Sequence, residues 1–430
     1  MANYKIVRLQ GIGMEMAIDN VYKKRSDLIN QPFVVQRDAF FDEKISHAGG
    51  FIEAMNDLGN EAYEIFYDCR IMQQTWAREK GVKYDEGQWQ SDILLAQIRE
   101  LQPDVLFFQD IFSMPPEMRI NIKELIPSVR IKAIQKGYPG ETSDLSDADI
   151  LFVSSPILYE RYKDLQPYLI YHPFDDSILT RLNNHQFSGN DRDGGLSFVG
   201  SVRAPERRYW MLRELIKKTN IEIWGLEYKD DYERIKTVKG MLRSAAKEVL
   251  ISLYGSHIPK SLKGQFIPKK LKRLILEIEE SYKEQNIELS YGIEIGKLPN
   301  NTLKEMYPYR CHEPVFGIEY YQLLKSSDIV FNMHSTAAKN TVDNMKMFET
   351  TGAGTCLVTD TGSNMKDLFE EDKEVVTYSS VDEAIEKIRF LLNHENERKK
   401  IAKAGQARTL KDHTIMNRSR QIDEIIQKKI

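Results

Sequence analysis

Residues 328–364, DIVFNMHSTAAKNTVDNMKMFETTGAGTCLVTDTGSN, hold the chain's densest grouping of side chains suited to a phosphorylated ligand. Asn340, with Asp343 three residues on, has the spacing of a capping box and predicts a helix over 341–351. Val342, Met345 and Phe348 recur at three-residue steps and are expected to face the core. Lys346 and Glu349 share another face, where both can act on one ligand. Gly352 and Gly354 end the helix ahead of a buried strand at 355–359. A helix N-terminus at the open edge of a sheet offers unpaired amides and a positive dipole end, which suit a diphosphate. An ionised Glu349 has acceptor oxygens for two ribose hydroxyls, and Lys346 can balance phosphate charge. The same residues also fit an ordinary capped helix with a surface Lys–Glu pair.

Candidates for proton transfer lie at strand ends and loop starts, where a carboxylate or imidazole can act as a general base. Asp110 follows the apolar run 104–109 (DVLFFQ), His47 precedes Ala48-Gly49-Gly50 at a helix start, and His334 ends the run 328–333 beside the helix above. Each has a plainer reading as a loop or helix cap. His312 and Glu313 are weaker candidates. Asp191 and Asp193 have the spacing of a two-aspartate metal clamp but sit in a polar linker and read as solvated, so no metal is implied.

Two sets of alternating strands and helices must position these groups. Strands are expected at 4–9, 62–67, 104–109, 130–135, 149–153 and 168–171, with helices at 49–58, 89–101, 116–125 and 155–163. A polar, glycine-rich break at 183–195 reads as a linker. The pattern restarts with strand 196–199, helix 205–218 and strand 220–224. It resumes with strands 328–332, 355–359 and 374–377 and helices 364–370, 381–392 and 395–404. Such alternation predicts parallel sheets covered on both faces, with ligands at the carboxyl ends of the strands. Residues 229–286 read as a charged helical insertion. Within it, 259–273 carries six basic residues and no acid, a solvated surface or one that touches anionic lipid or a charged polymer.

The chain is 430 residues long with a net charge of −4, which argues for two or three domains and against nucleic-acid binding. Three scattered cysteines imply neither a disulfide framework nor a zinc site. With no signal-like start and no spanning apolar stretch, a soluble cytosolic protein is expected.

Asn344, Lys346, Phe348-Glu349, Gly352, Gly354 and Thr359-Asp360 resemble the donor-binding signature of GT-B glycosyltransferases, closest to the branch of the CgeB-like spore-maturation proteins. Segments 317–334 and 369–413 are similar to that branch as well, as are 36–69, 73–81 and 151–176. Residues 198–208 (FVGSVRAPERR) resemble the first strand and loop of a GT-B donor domain, although an arginine cluster on the surface reads equally well. The resemblance implies an α/β, GT-B fold: an acceptor-binding domain at 1–182, a linker at 183–195, a nucleotide-sugar-binding domain at 196–410 carrying the insertion, and a C-terminal helix at 411–430. It implies Gly200, Arg203, Arg207, Asn344, Lys346, Glu349 and Gly362 as donor-binding residues, with Asp110, His47 and His334 as candidate catalysts. Metal-independent transfer is expected, with a nucleotide-diphosphate sugar as donor and no other cofactor. The acceptor is expected to be a glycan, lipid-linked or protein hydroxyl, with possible peripheral membrane contact through 259–273. Thr341 stands where many retaining members have a first glutamate, and Lys346 where arginine is usual. A nucleotide-sugar epimerase or a non-catalytic binding protein is the alternative on the same fold.

Overall fold

The computed structural model describes residues 3–45, 48–139, 143–182, 194–202, 206–225, 227, 299 and 301–430. His47, Arg203, Asp191, Asp193 and the segment 229–286 lie outside the described residues.

Strands β1 (Lys5–Gln10), β2 (Glu61–Phe66), β3 (Val105–Phe108), β4 (Ile131–Lys136), β5 (Ile150–Val153) and β6 (Tyr168–Leu169) form one six-stranded parallel sheet in the order β2-β1-β3-β4-β5-β6. Strands β7 (Leu196–Val199), β8 (Glu222–Trp224), β9 (Cys311–His312), β10 (Ile329–Phe331), β11 (Cys356–Asp360) and β12 (Val376–Tyr378) form a second, in the order β12-β11-β10-β7-β8-β9. The two α/β sheets agree with the strand–helix alternation of the sequence.

The chain divides into two compact units, each discontinuous: Met1–Gly194, Val315–Val376 and Glu395–Ile430 in one, Gly195–Pro314 and Thr377–His394 in the other. The break expected at 183–195 coincides with the first crossing, but the chain then returns to the first unit twice. Within that unit the reason is visible. The Phe174 amide donates to the His413 carbonyl at 2.8 Å and the Ile415 amide to the Phe174 carbonyl at 2.8 Å. The C-terminal helix Ile415–Gln427 thereby packs Ile415, Ile422 and Ile426 onto Phe51, Phe107 and Phe152.

Period-two alternation gives the first sheet two apolar faces. Val7, Leu9, Leu106, Phe108, Ile134 and Leu151 fill one core; Ile6, Val105, Phe107, Ala133 and Phe152 fill the other, beneath helices Gly50–Asp57 and Ile415–Gln427. Three helices near the N-terminus, Glu15–Lys24, Phe33–Glu43 and Arg70–Lys80, escape the sequence reading. In Phe33–Glu43 the apolar stripe is broken: Val34 and Val35 are exposed, while Gln36 is buried and accepts the Tyr22 hydroxyl proton at 2.6 Å.

The helix expected over 341–351 begins four residues later, at Met345, and its N-cap is Asn344 rather than Asn340. Residues 340–343 are held out of the helix. The Asn364 side chain accepts from the Val342 amide at 2.9 Å and donates to its carbonyl at 2.8 Å, and the Ser363 amide donates to the Asn340 carbonyl at 2.7 Å. Asp343 therefore makes no capping box. It is buried, 3.3 Å from the Ser154 hydroxyl, and burial raises its pKa.

All three cysteines are buried thiols, and burial pushes Cys69 up to about 11 and Cys311 and Cys356 up to about 12, which leaves them protonated and unreactive at neutral pH. Among the described residues no helix is long and apolar enough to cross a membrane.

Two outcomes follow from this packing. A Cβ on Gly352 would lie 2.4 Å from the Phe174 ring, so Gly352→Ala should destabilise the protein by about 1–3 kcal/mol in denaturant unfolding. His413 lies between Phe348 and Phe369; its Nε2–H donates to the Leu368 carbonyl at 3.0 Å and its Nδ1 accepts from Arg418 at 2.6 Å. Burial lowers its pKa from 6.5 to about 4. A depressed imidazole pKa gives stability that is present above about pH 6.5 and lost as pH falls toward 4, up to about 3 kcal/mol. The difference in unfolding free energy between the wild type and His413→Gln should shrink over that window; a constant difference would refute the assignment.

Candidate functional site

The candidate site lies at the carboxyl ends of β10 and β11, where an open α/β sheet leaves strand ends and helix starts together. Just beyond β10, Asn332 and Asn344 exchange side-chain hydrogen bonds at 3.2 and 3.0 Å, and Asn332 also donates to the Thr359 hydroxyl at 3.0 Å. Two residues further, His334 is 2 % exposed. Its backbone amide reaches both oxygens of Asp360 at 3.1 Å, and its Nδ1 lies 2.7 Å from Asp360 Oδ1. Its Nε2 accepts from the Asp343 and Asn344 amides at 3.1 and 3.3 Å. Two donors on Nε2 place the ring proton on Nδ1, facing the carboxylate.

His334 is expected as a catalyst, but both ring nitrogens are engaged inside the chain. It holds the turn that leads into helix Met345–Gly352, which makes it a positioning residue. It also takes up two of the amides the sequence reading reserves for a ligand, and the Asn344 side chain takes a third, that of Met347, at 3.3 Å. The Met345 amide, first in the helix, makes no hydrogen bond among the described residues. Lys346, half-buried, follows it in the first turn. Gly362 allows close approach: a Cβ there would meet Val342 at 2.7 Å and the Asn340 carbonyl at 3.0 Å.

Glu349 is buried, and each of its oxygens accepts from a tyrosine, Tyr320 at 2.6 Å and Tyr321 at 3.2 Å. Burial, then the neighbouring carboxylate, raises both phenol pKa values, so the hydroxyls remain donors at neutral pH. Neither the tyrosines nor Asp360 as partner of His334 stands out in the sequence reading, because hydroxyl and carboxylate partners 20 to 30 residues away leave no local spacing.

Other candidates are spread more widely. Asp110 ends β3 beside the Gly11 turn; it accepts from the Tyr67 hydroxyl and the Phe112 amide at 2.7 Å each, and burial raises its pKa. In the second unit, Gly200 ends β7 with φ +140, a conformation that favours glycine. Arg207 is fully buried in helix Glu206–Lys218, which rules out the alternative of a surface arginine there. His312 pairs with Glu222 at 2.9 Å and stacks on Trp224, and Glu313 forms an exposed ion pair with Lys304, so both have structural partners. The glycine helix start that His47 precedes is filled by the protein's own carboxylate: Glu64 accepts from the Gly49 amide at 2.9 Å.

Residues 291–424 match the profile of a family described as glycosyl transferase-like. A search of curated proteins gives no match. Among solved structures, Anabaena HepE in complex with UDP and glucose aligns with a TM-score of 0.51 at 12% identity, over 99% of this chain and 100% of that one. Sucrose-phosphate synthase from Thermosynechococcus elongatus aligns at 0.51 and 9% identity, over 99% of each chain. A glycosyltransferase from Rickettsia africae aligns at 0.50 and 9% identity, over 100% of this chain and 99% of that one. These likenesses establish the GT-B fold.

The His334–Asp360 pair gives a direct test. Asp360→Asn would keep one oxygen for the imidazole N–H but set its amide NH₂ against the His334 backbone N–H and remove the charge, and should cost about 1.5–3 kcal/mol of stability in denaturant unfolding.

Proposed function

We propose that the protein transfers a sugar from a nucleoside-diphosphate sugar to an acceptor hydroxyl. One observation carries the reading: within the segment that matches the glycosyl transferase-like profile, a buried glutamate sits one helical turn from a lysine and from the helix N-terminus. Ribose and diphosphate require those three features in one place. The solved relatives that hold UDP or UDP-glucose support a uridine donor as the first to test. The motif around Phe348-Glu349 further supports membership of the CgeB-like branch.

In the proposed mechanism Glu349 holds the ribose, while the Met345–Gly352 N-terminus and Lys346 stabilise the departing diphosphate without a metal; Gly200, Arg203 and Arg207 stay proposed as donor-binding residues of the other unit. A base removes the proton of the acceptor hydroxyl, its oxygen bonds to the anomeric carbon, and the bond from that carbon to the diphosphate breaks. Asp110 is the proposed base, since burial raises its pKa toward the working range of such a group. His47 is kept as an acceptor contact, and His334 acts by positioning. Cytoplasmic placement, with 259–273 against an anionic membrane surface, belongs to the same proposal.

Two substitutions separate the roles. In a thermal-shift titration, UDP should raise the melting temperature of the wild type, and Glu349→Ala should weaken that response about tenfold or more in apparent affinity. Asp110→Asn should keep the UDP response and lower transfer by roughly 10²–10⁴-fold. An unchanged response in Glu349→Ala would remove the ribose assignment.

A further inference from the structure

Central strands of a covered parallel sheet are normally apolar on both faces. β1 departs from this: Arg8 and Gln10 point to the same face as Ile6 and are buried at 6 % and 1 % exposure. The register pairs Leu9 with Phe108 and Phe108 with Ile134. Gln10, Gln109 and Gln135 therefore form a row across β1, β3 and β4, one residue further toward the carboxyl ends. The strand order turns between β1 and β3, the place where open α/β sheets form ligand crevices.

A cavity of about 220 Å³ opens beside this row. At roughly 30 Å³ per water, it has the volume of about seven waters. Arg8 and the three glutamines line one side; Arg418 and Ser419 of the C-terminal helix line the other, and Met345 contributes to the wall. Among the described residues no aspartate or glutamate lines it.

The polar groups are incompletely satisfied. Arg8 donates through Nε to Gln109 at 3.0 Å and has Glu64 3.2 Å from Nη1, while Nη2 has no hydrogen-bond partner among the described residues. The Ser419 hydroxyl is fully buried without a partner among them. Arg418, 6 % exposed, donates to neutral groups only: the carbonyls of Tyr171 and Asp412, Gln421 and His413. It forms no ion pair among the described residues; Asp412, the acid beside it, is paired with Arg408 at 3.2 Å. Burial lowers Arg418 to about 10, which leaves it cationic at neutral pH. The acids that act on Arg8 are Glu64 and Asp110. A buried guanidinium without a counter-charge is costly, and an anionic ligand would relieve that cost.

We propose that this cavity is an oxyanion subsite, in which Arg8, Arg418 and Ser419 receive the carboxylate or phosphate of a negatively charged acceptor. The proposal deepens the transfer reading and rests on it for the word acceptor. The Met345 wall places the subsite next to the helix start assigned to the donor.

The test is a thermal-shift titration of the full chain with D-glucuronate, D-glucose 6-phosphate and D-glucose, each without and with saturating UDP. Glucuronate or glucose 6-phosphate should raise the melting temperature and glucose should not; the stronger of the two acids identifies the carboxylate or phosphate source. Arg418→Gln should weaken the response about tenfold or more, by loss of a charge-assisted bond. Should that variant fold poorly, Ser419→Met keeps both guanidinia, fills the same space and should abolish the response while leaving that to UDP intact. Equal shifts with glucose and glucuronate, no shift with either acid, or unaltered responses in Ser419→Met would overturn the subsite. A UDP shift without an acid shift would defeat the subsite alone, and an acid shift without a UDP shift would defeat the donor reading alone.

Discussion

Hydrogen bonds from two directions converge on His334 and fix the carboxyl edge of β10 and β11. Asp360 receives the imidazole proton and the backbone amide, and Nε2 takes the amides of Asp343 and Asn344. A neutral ring used in both directions links the end of one strand to the end of the next and to the start of a helix. Asp343 and Asn344 are thereby held out of the helix, Asn344 becomes the cap, and Glu349 falls one turn into the helix, against Tyr320 and Tyr321. The proposed donor chemistry depends on this turn, because the first helical amides face a ligand only if the residues before them do not continue the helix.

The second constraint is the polar content of the first sheet. Arg8 is carried by a central strand and balanced by Glu64, whose other oxygen caps the Gly49 amide. Burial favours the neutral forms, lowering the pKa of Arg8 and raising that of Glu64, and the partner charge opposes this for each. Such a pair gives little net stability compared with an apolar replacement, so its presence is better explained by what it presents than by what it holds together.

Much of the fold was legible because buried parallel strands leave compact apolar runs. Strand 196–199 and helix 89–101 coincide with the observed β7 and Trp89–Leu101. The helix at 33–43 was not, since its inward face mixes Gln36 with Ala39 and Phe40 while Val34 and Val35 point outward, and the helix at 15–24 buries only Ala17 and Val21. In the site, Asn344, Lys346 and Glu349 were identified from helical spacing and resemblance, but the helix start was misplaced. Asn340 and Asp343 have a cap's spacing, and only the distant Asn364 and Ser154 reveal why they are not one. Arg8 and Gln10 carried a readable signal, two polar residues at alternate positions beside the apolar Ile6, Val7 and Leu9, whereas Arg418 and Ser419 reach the same cavity from some 400 residues away in the chain and had none.

The most direct measurement is a crystal structure of the protein with UDP. The account predicts the ribose hydroxyls within hydrogen-bond distance of the Glu349 carboxylate and the diphosphate over the Met345 and Lys346 amides. A nucleotide bound away from this helix, with no contact to Glu349, would contradict it.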